Sequence, residues 1–145
     1  MTLVSLSIIQ AICTWVLMGL IWTIQWVHYP MFSFFNTTTP MAFQDHQRRI
    51  TYLVGPLMMI ELFTAILLGV FNISNHPYFH AINIGLLIII WAHTGFIMVP
   101  LHTKLSAAPN LKTIQLLVKK NYVRSVAWTL KGGLWGAAAC HLVSR

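Results

Sequence analysis

Four long apolar stretches determine what this chain can fold into. They lie at residues 3–27, 50–71, 79–99 and 122–143, and they hold few charged side chains. A helix needs about 20 apolar residues to cross the roughly 30 Å hydrocarbon core of a bilayer. The pattern therefore predicts an all-α polytopic membrane protein, a four-transmembrane-helix bundle that forms a single membrane domain over residues 1–145.

The ionisable residues exclude several classes of protein. Charged residues make up 8% of the chain, whereas a soluble domain carries about 25%, so a water-soluble globule is excluded. The only two acids, Asp45 and Glu61, lie far apart in different surroundings and do not suggest a carboxylate-pair enzyme. Two cysteines in a long apolar chain do not form a disulfide framework.

The basic residues predict how the chain is oriented in the membrane. The connections after the first and third stretches contain Arg48, Arg49, Lys104, Lys112, Lys119 and Lys120, whereas Arg145 alone lies on the other side. Basic connections face the cytoplasm, which predicts a membrane protein with both termini outside the cytoplasm. The charges form no continuous basic helix or recognised motif, so we expect no nucleic-acid partner.

The long third connection has an amphipathic pattern of its own. Over about residues 109–120, apolar side chains recur at near-helical spacing and lysines occupy the other face. This predicts a short interfacial amphipathic helix between the third and fourth spans, lying against anionic headgroups. Two roles are open for it, anchoring the connection or gating access to a site.

Three ionisable side chains from different spans are predicted to share one depth near the middle of the membrane. At about 1.5 Å per residue, Glu61, His93 and Lys131 lie roughly 13–16 Å from the predicted cytoplasmic edge. Such groups are costly in a membrane and need a partner or a function. One interpretation is a structural Glu61–Lys131 ion pair with His93 hydrogen-bonded nearby. The other is a proton relay or substrate-polarising site.

A second polar level is predicted at the cytoplasmic ends of the spans. His28, His46 and His102, with Asp45, suit a site for Fe, Cu or Zn, since neutral imidazole is a good ligand for all three metals. Two histidines on facing helices are also candidate axial ligands for haem. Two alternatives remain open: a pocket for a polar substrate or lipid headgroup, or plain helix capping and interface anchoring.

Other residues at this level are candidates for binding a cofactor or a substrate. Gln25 and Asn121 are placed to hydrogen-bond metal ligands, and Trp128 is part of an aromatic lining. Arg49 and Arg124 are candidates for orienting an anionic or carbonyl group.

Six short motifs, taken in order along the chain, resemble those of a known group of proteins. They are Gln-Trp-Val-His-Tyr-Pro-Met-Phe at 25–32, His-Gln-Arg-Arg-Ile at 46–50, Gly-Pro-Leu-Met-Met-Ile-Glu-Leu at 55–62, Trp-Ala-His-Thr at 91–94, Val-Pro-Leu-His at 99–102 and Asn-Tyr-Val-Arg-Ser-Val-Ala-Trp at 121–128. They resemble a group of small, uncharacterised bacterial four-helix integral membrane proteins, and the resemblance implies a location in a bacterial inner membrane. More distantly, the chain is similar to the anthrone-oxygenase-like membrane family, whose third span also ends in a proline followed by a polar residue.

The resemblance covers most of residues 20–131 and implies a shared polar set at the cytoplasmic ends of the helices. That set comprises His28, His46, Arg49, Glu61, Thr94, His102, Asn121 and Arg124. The oxygenase likeness is an analogy at the level of the fold.

Three functions are weighed on these residues. The favoured hypothesis is a haem- or metal-dependent oxidoreductase or oxygenase that acts on a lipophilic small molecule, with Glu61 or His93 moving protons. The second is a small transporter or channel with a Glu61, His93 and Lys131 relay, which would need a homo-oligomer to form a pathway. The third is a non-catalytic membrane assembly subunit.

Overall fold

The chain folds into long helices joined by short connections. The computed structural model describes residues 2–34, 40–72, 74 and 76–143, and no strand occurs among them. Arg145, which entered the charge argument, lies outside these residues. The all-α class is confirmed. The four helical segments are α1 (Leu3–Phe34), α2 (Pro40–Asn72), α3 (Pro77–Ala107) and α4 (Leu111–Val143).

Three of these segments are long and apolar enough to cross a membrane. They are α1, α2 over Phe43–Asn72, and α3. The last helix, α4, is 33 residues long, but Arg124 and Lys131 lie within its most apolar part. The structure thus shows three candidate spans, where the sequence analysis predicts four.

The predicted interfacial helix is not a separate element. Residues 111–120 form the first turns of α4, which continues without a break to Val143. Asn110 caps this helix, because its side-chain oxygen accepts a 2.8 Å hydrogen bond from the Thr113 backbone N–H. No proline or glycine follows until Gly132, so nothing stops the helix at the charged residues where the sequence analysis placed a boundary.

The helices also extend beyond the apolar stretches at the end of the bundle that carries Arg48, Arg49, Lys104, Lys119 and Lys120, called here the basic end. Helix α2 begins at Pro40, about ten residues before the predicted span. Asp45 pairs there with Arg48 and Arg49 at i,i+3 and i,i+4 spacing, and such pairs support a helix. Hydropathy therefore marked the apolar part of each helix and not its ends.

Helices α1 and α3 each contain one π-helical turn near the basic end. In α1 it covers Ile24–His28, and the Tyr29 N–H donates to the Ile24 carbonyl. In α3 it covers Thr94–Met98. Each turn ends two residues before a proline, Pro30 or Pro100. A proline ring clashes with the carbonyl four residues earlier, and a wider turn relieves that clash.

The four segments form an antiparallel bundle in which each packs against its neighbours in sequence and α4 closes on α1. The exterior is apolar, with Ile8, Phe63 and Val126 exposed, whereas polar side chains such as Gln10 and Asn83 are buried. Membrane bundles show this distribution, because lipid solvates the apolar surface while polar groups pair inside.

Candidate functional site

The middle of the bundle holds a buried ion pair between α2 and α4. Lys131 Nζ lies 2.7 Å from Glu61 Oε1, and both side chains are fully buried. The Thr14 hydroxyl of α1 donates to the same carboxylate oxygen at 2.8 Å and accepts from Lys131 Nζ at 3.0 Å. Trp128 Nε1 donates to Glu61 Oε2 at 3.3 Å. The predicted ion pair is confirmed, and both carboxylate oxygens have partners.

His93 does not join this pair by a hydrogen bond. It is buried, and neither of its ring nitrogens has a hydrogen-bond partner within the described residues. Its charged neighbours are Arg124 and Lys120. The relay through Glu61, His93 and Lys131 stays a prediction, for which the described side chains provide no continuous chain of hydrogen bonds.

Gln25 and Asn121 bind each other across the interface between α1 and α4. Asn121 Nδ2 donates to Gln25 Oε1 at 2.8 Å, and Gln25 Nε2 donates to the Val118 carbonyl at 3.1 Å. Both residues are buried. The π turn of α1 carries Gln25. Their observed bonds join two helices near the basic end and do not orient any of the three predicted histidine ligands.

The three histidines predicted as metal ligands lie near one another at the basic end. The rings of His28 and His46 are 5.6 Å apart between centroids and meet edge to face. His102 Nε2 lies 3.0 Å from the Tyr29 hydroxyl, and the Tyr29 ring centroid lies 5.7 Å from that of Phe32. Phe32 packs edge to face on His46 at 4.8 Å. We call these residues, His28, Tyr29, Phe32, His46 and His102, the histidine cluster.

Two nitrogens of the histidine cluster are buried and unbonded. His28 Nδ1 and His46 Nε2 have no hydrogen-bond partner among the residues that the structure describes. A buried unpaired polar group costs about 1–3 kcal/mol, so such atoms call for an explanation. No group of three His, Cys, Asp or Glu residues in the described ranges is arranged to hold a metal ion. The two unbonded nitrogens belong to neighbouring rings, whose centroids are 5.6 Å apart.

Arg124 lies beside the histidine cluster, on α4. Its side chain lies close to the Tyr29 hydroxyl, and its guanidinium carbon is 5.3 Å from the centroid of the Trp128 ring. Arg124 is 7% exposed, and its Nε has no hydrogen-bond partner in the described part of the chain. Arg124 and Trp128, both predicted from sequence, thus connect the cluster with the Glu61–Lys131 pair.

Arg49 is not brought to this site. Its side chain is 77% exposed and pairs with Asp45 at 2.6 Å, as Arg48 does at 2.9 Å. The prediction that Arg49 orients a ligand at the cluster is therefore not supported, because Arg49 pairs with Asp45 at the surface. The position of Arg49 one residue from Arg48 gave no indication of which face of α2 it occupies.

Two residues that the sequence analysis did not select have central positions. Tyr29 contacts both His102 and Arg124, and Thr14 bridges Glu61 and Lys131. Tyr29 stands next to His28 in the first motif, which was the one available signal for it. Thr14 lies in an uncharged stretch, and a lone threonine there has no distinguishing pattern.

Comparison with known proteins adds no relative to these observations: neither a family model, nor a curated protein, nor a solved structure matches this chain.

Proposed function

We propose that this protein is a membrane-embedded oxidoreductase that acts on a lipophilic small molecule at the basic end of the bundle. The observation that carries the proposal is the histidine cluster, in which α1, α2 and α3 each contribute an imidazole. Buried cationic and aromatic side chains, Arg124 and Trp128, adjoin it. Pockets that combine an apolar lining with a few convergent polar groups are typical of small-molecule sites.

The cluster suits a haem iron or a non-haem Fe, Cu or Zn ion only in part. His28 Nδ1 and His46 Nε2 are free of protein partners within the described residues, and these two histidines would hold the metal. His102 is engaged with Tyr29, so further ligands would come from water, substrate or a porphyrin. A bound Fe or Cu would supply electron transfer or oxygen activation.

The remaining side chains of the site bind and orient in this proposal. Arg124 supplies a positive charge for an anionic or carbonyl group, and Tyr29 holds His102 in place through its hydroxyl. The Glu61–Lys131 pair lies next to Trp128 and fixes its ring through the Nε1 hydrogen bond. His28, His46, His102 and Arg124 belong to the polar set implied by the resemblance to small bacterial four-helix membrane proteins, whereas Arg49 of that set lies at the surface; the resemblance itself stays a prediction.

The proposal includes a fourth crossing by α4 and a cytoplasmic basic end in a bacterial inner membrane. In support, α4 packs along α1 and α3 over its length, and its Lys131 is neutralised inside the bundle by Glu61. The basic side chains of α2, α3 and α4 lie at one end, as the positive-inside rule requires. Both termini then face out of the cytoplasm.

Metal content and absorption spectra of the purified protein test the proposed function. We expect detergent-purified protein, before or after loading with haem, Fe, Cu or Zn, to hold near-stoichiometric metal or to show a Soret band. His28→Ala with His46→Ala should lower the occupancy at least tenfold. The matched control is His76→Ala, which removes an exposed histidine at the other end. A wild-type protein that takes up none of these groups overturns the proposal.

Labelling of single cysteines tests the topology. In a Cys140→Ser background, Ser74→Cys and Ala108→Cys place exposed thiols before and after α3, and a cysteine appended after Arg145 places one beyond α4. A membrane-impermeant maleimide should label Ser74→Cys and the appended cysteine in intact spheroplasts, and Ala108→Cys only in inverted vesicles. The opposite pattern would reverse the orientation. Labelling of Ala108→Cys and the appended cysteine from the same side would show that α4 does not cross.

A further inference from the structure

Arg124 is a buried cation for which this chain has no carboxylate. The 145 residues contain two acidic side chains, Asp45 and Glu61. Asp45 pairs with Arg48 and Arg49, and Glu61 pairs with Lys131. Glu61 therefore has a cation of its own, and Asp45 is engaged at the surface. A buried charge is strongly disfavoured unless an opposite charge or hydrogen bonds compensate it.

The contacts that Arg124 makes do not use all of its hydrogen-bond donors. A guanidinium carries five N–H donors and binds carboxylates or phosphates with two parallel hydrogen bonds. Here the guanidinium lies over the Trp128 ring and interacts with the Tyr29 hydroxyl, while the Arg124 Nε–H is unpaired among the described residues. The neighbouring histidines supply no negative charge. An external anion would complete this environment.

An apolar groove adjoins the same residues. It measures about 440 Å³ and lies between Tyr29 and Pro30 of α1 and the Ile114 and Val118 side chains of α4, with Lys119 also lining it. Tyr29 lines the groove and is also a neighbour of Arg124. Ligand sites for small molecules commonly have volumes of about 300–1,000 Å³. The groove is thus large enough for part of a hydrocarbon body.

We propose that the basic end binds a lipophilic anion, with its carboxylate or phosphate group at Arg124 and its hydrocarbon body in the groove beside Tyr29. The inference deepens the proposed function by naming the class of substrate, and it rests on the same site. The shared chemistry is an oxyanion attached to an apolar body. A fatty acid and an anionic phospholipid are the two sources of that chemistry.

Binding of matched amphiphiles by the full-length protein tests this inference. The protein is purified in an uncharged, phosphate-free detergent, and affinities are measured for oleate, phosphatidic acid, oleyl alcohol and acetate. We expect oleate or phosphatidic acid to bind at least tenfold more tightly than oleyl alcohol, and acetate to bind weakly for lack of a tail. Tighter binding of oleate assigns a fatty acid, and tighter binding of phosphatidic acid assigns a phospholipid. If oleate and phosphatidic acid both bind no more tightly than oleyl alcohol, the proposal is overturned.

Charge variants separate Arg124 from the other cations. Arg124→Gln should abolish the preference for the anion, and Arg124→Lys should keep part of it because the charge remains without the planar fork. The matched control, Arg48→Gln, removes an exposed cation at the same end and should leave the preference unchanged. Retention of the preference in Arg124→Gln overturns the assignment. If that variant does not fold, Arg124→Lys decides: an unchanged preference for phosphatidic acid and oleate over oleyl alcohol with unchanged affinities contradicts bidentate binding at Arg124.

The outcomes distinguish this inference from the proposed function. If the protein binds anions selectively but takes up no metal or haem, the anion site is supported and the proposed redox function is rejected. If it takes up metal or haem but shows no anion selectivity, the redox function is supported and the proposed substrate class is rejected.

Discussion

Lys131 Nζ and Glu61 Oε1 lie 2.7 Å apart in the interior of the bundle, and neither side chain has any exposed surface. Each residue comes from a different helix, so the pair joins α2 to α4, and Thr14 adds α1 to the same hydrogen-bonded group. An ion pair at this depth restricts how the three helices can rotate and slide, because only one arrangement brings both charges together.

Removing one member of this pair should destabilise the protein strongly. Glu61→Gln and Lys131→Met should each lower the free energy of unfolding by about 3–5 kcal/mol, because each leaves an uncompensated buried charge. The double variant should lose less than the sum of the two single losses. Denaturant titrations of the detergent-solubilised protein measure all three values, with Arg48→Gln at the exposed ion pair as the control. Strictly additive losses would show that the two charges are not coupled.

Gly132 lies where α4 approaches α1 most tightly. A Cβ atom at Gly132 would lie 2.7 Å from Met18 Sδ, whereas one at Gly133 would meet nothing within 4 Å. Trp15 Nε1 also donates to the Gly132 carbonyl at 3.0 Å. Gly132→Leu should therefore cost about 1–3 kcal/mol through overpacking. Gly133→Leu introduces the same side chain one residue along and should be neutral or stabilising in the same thermal unfolding measurement. Equal effects would contradict the close approach.

The Tyr29 hydroxyl should matter for the histidine cluster more than the Tyr29 ring does. Tyr29→Phe keeps the ring but leaves His102 Nε2 and Arg124 without this partner. The loss of a buried hydrogen bond predicts about 1–3 kcal/mol of destabilisation. Tyr52→Phe, at a 76% exposed position of α2, is the matched control. The His102 imidazole resonance in NMR spectra should also shift in Tyr29→Phe and stay in place in Tyr52→Phe. An unshifted resonance in both variants would argue against the Tyr29–His102 contact.

The bond between Gln25 and Asn121 should couple α1 to α4. Gln25→Leu leaves Asn121 Nδ2 without its acceptor, Asn121→Leu leaves Gln25 Oε1 without its donor, and each change should cost about 1–3 kcal/mol. Because the residues are in direct contact at 2.8 Å, a double-mutant cycle should give a coupling energy of about 0.5–3 kcal/mol. The same cycle run with Gln25→Leu and Thr103→Ala, an exposed site on α3, should give a value near zero.

For the histidine cluster, the sequence predicted positions along the helices but not the directions in which the side chains face. The sequence analysis placed His28, His46 and His102 at one membrane level; in the structure the rings of His28 and His46 are 5.6 Å apart, and His102 contacts Tyr29. The same reasoning placed Arg49 with them, but Arg49 points away from the bundle and pairs with Asp45. Depth along a helix follows from counting residues, whereas the facing direction changes by about 100° with each residue and depends on how the helices pack.

The sequence by itself determined the all-α class, the long apolar helices and the position of each ionisable group along its helix. These follow from local properties, since helical rise is constant and hydropathy adds along the chain. Tertiary structure alone decided that His93 makes no hydrogen bond to Glu61 or Lys131. It also decided that Arg124 is buried in a chain whose two carboxylates have other partners. Those outcomes depend on the rotation and close approach of whole helices, which no local stretch of sequence encodes.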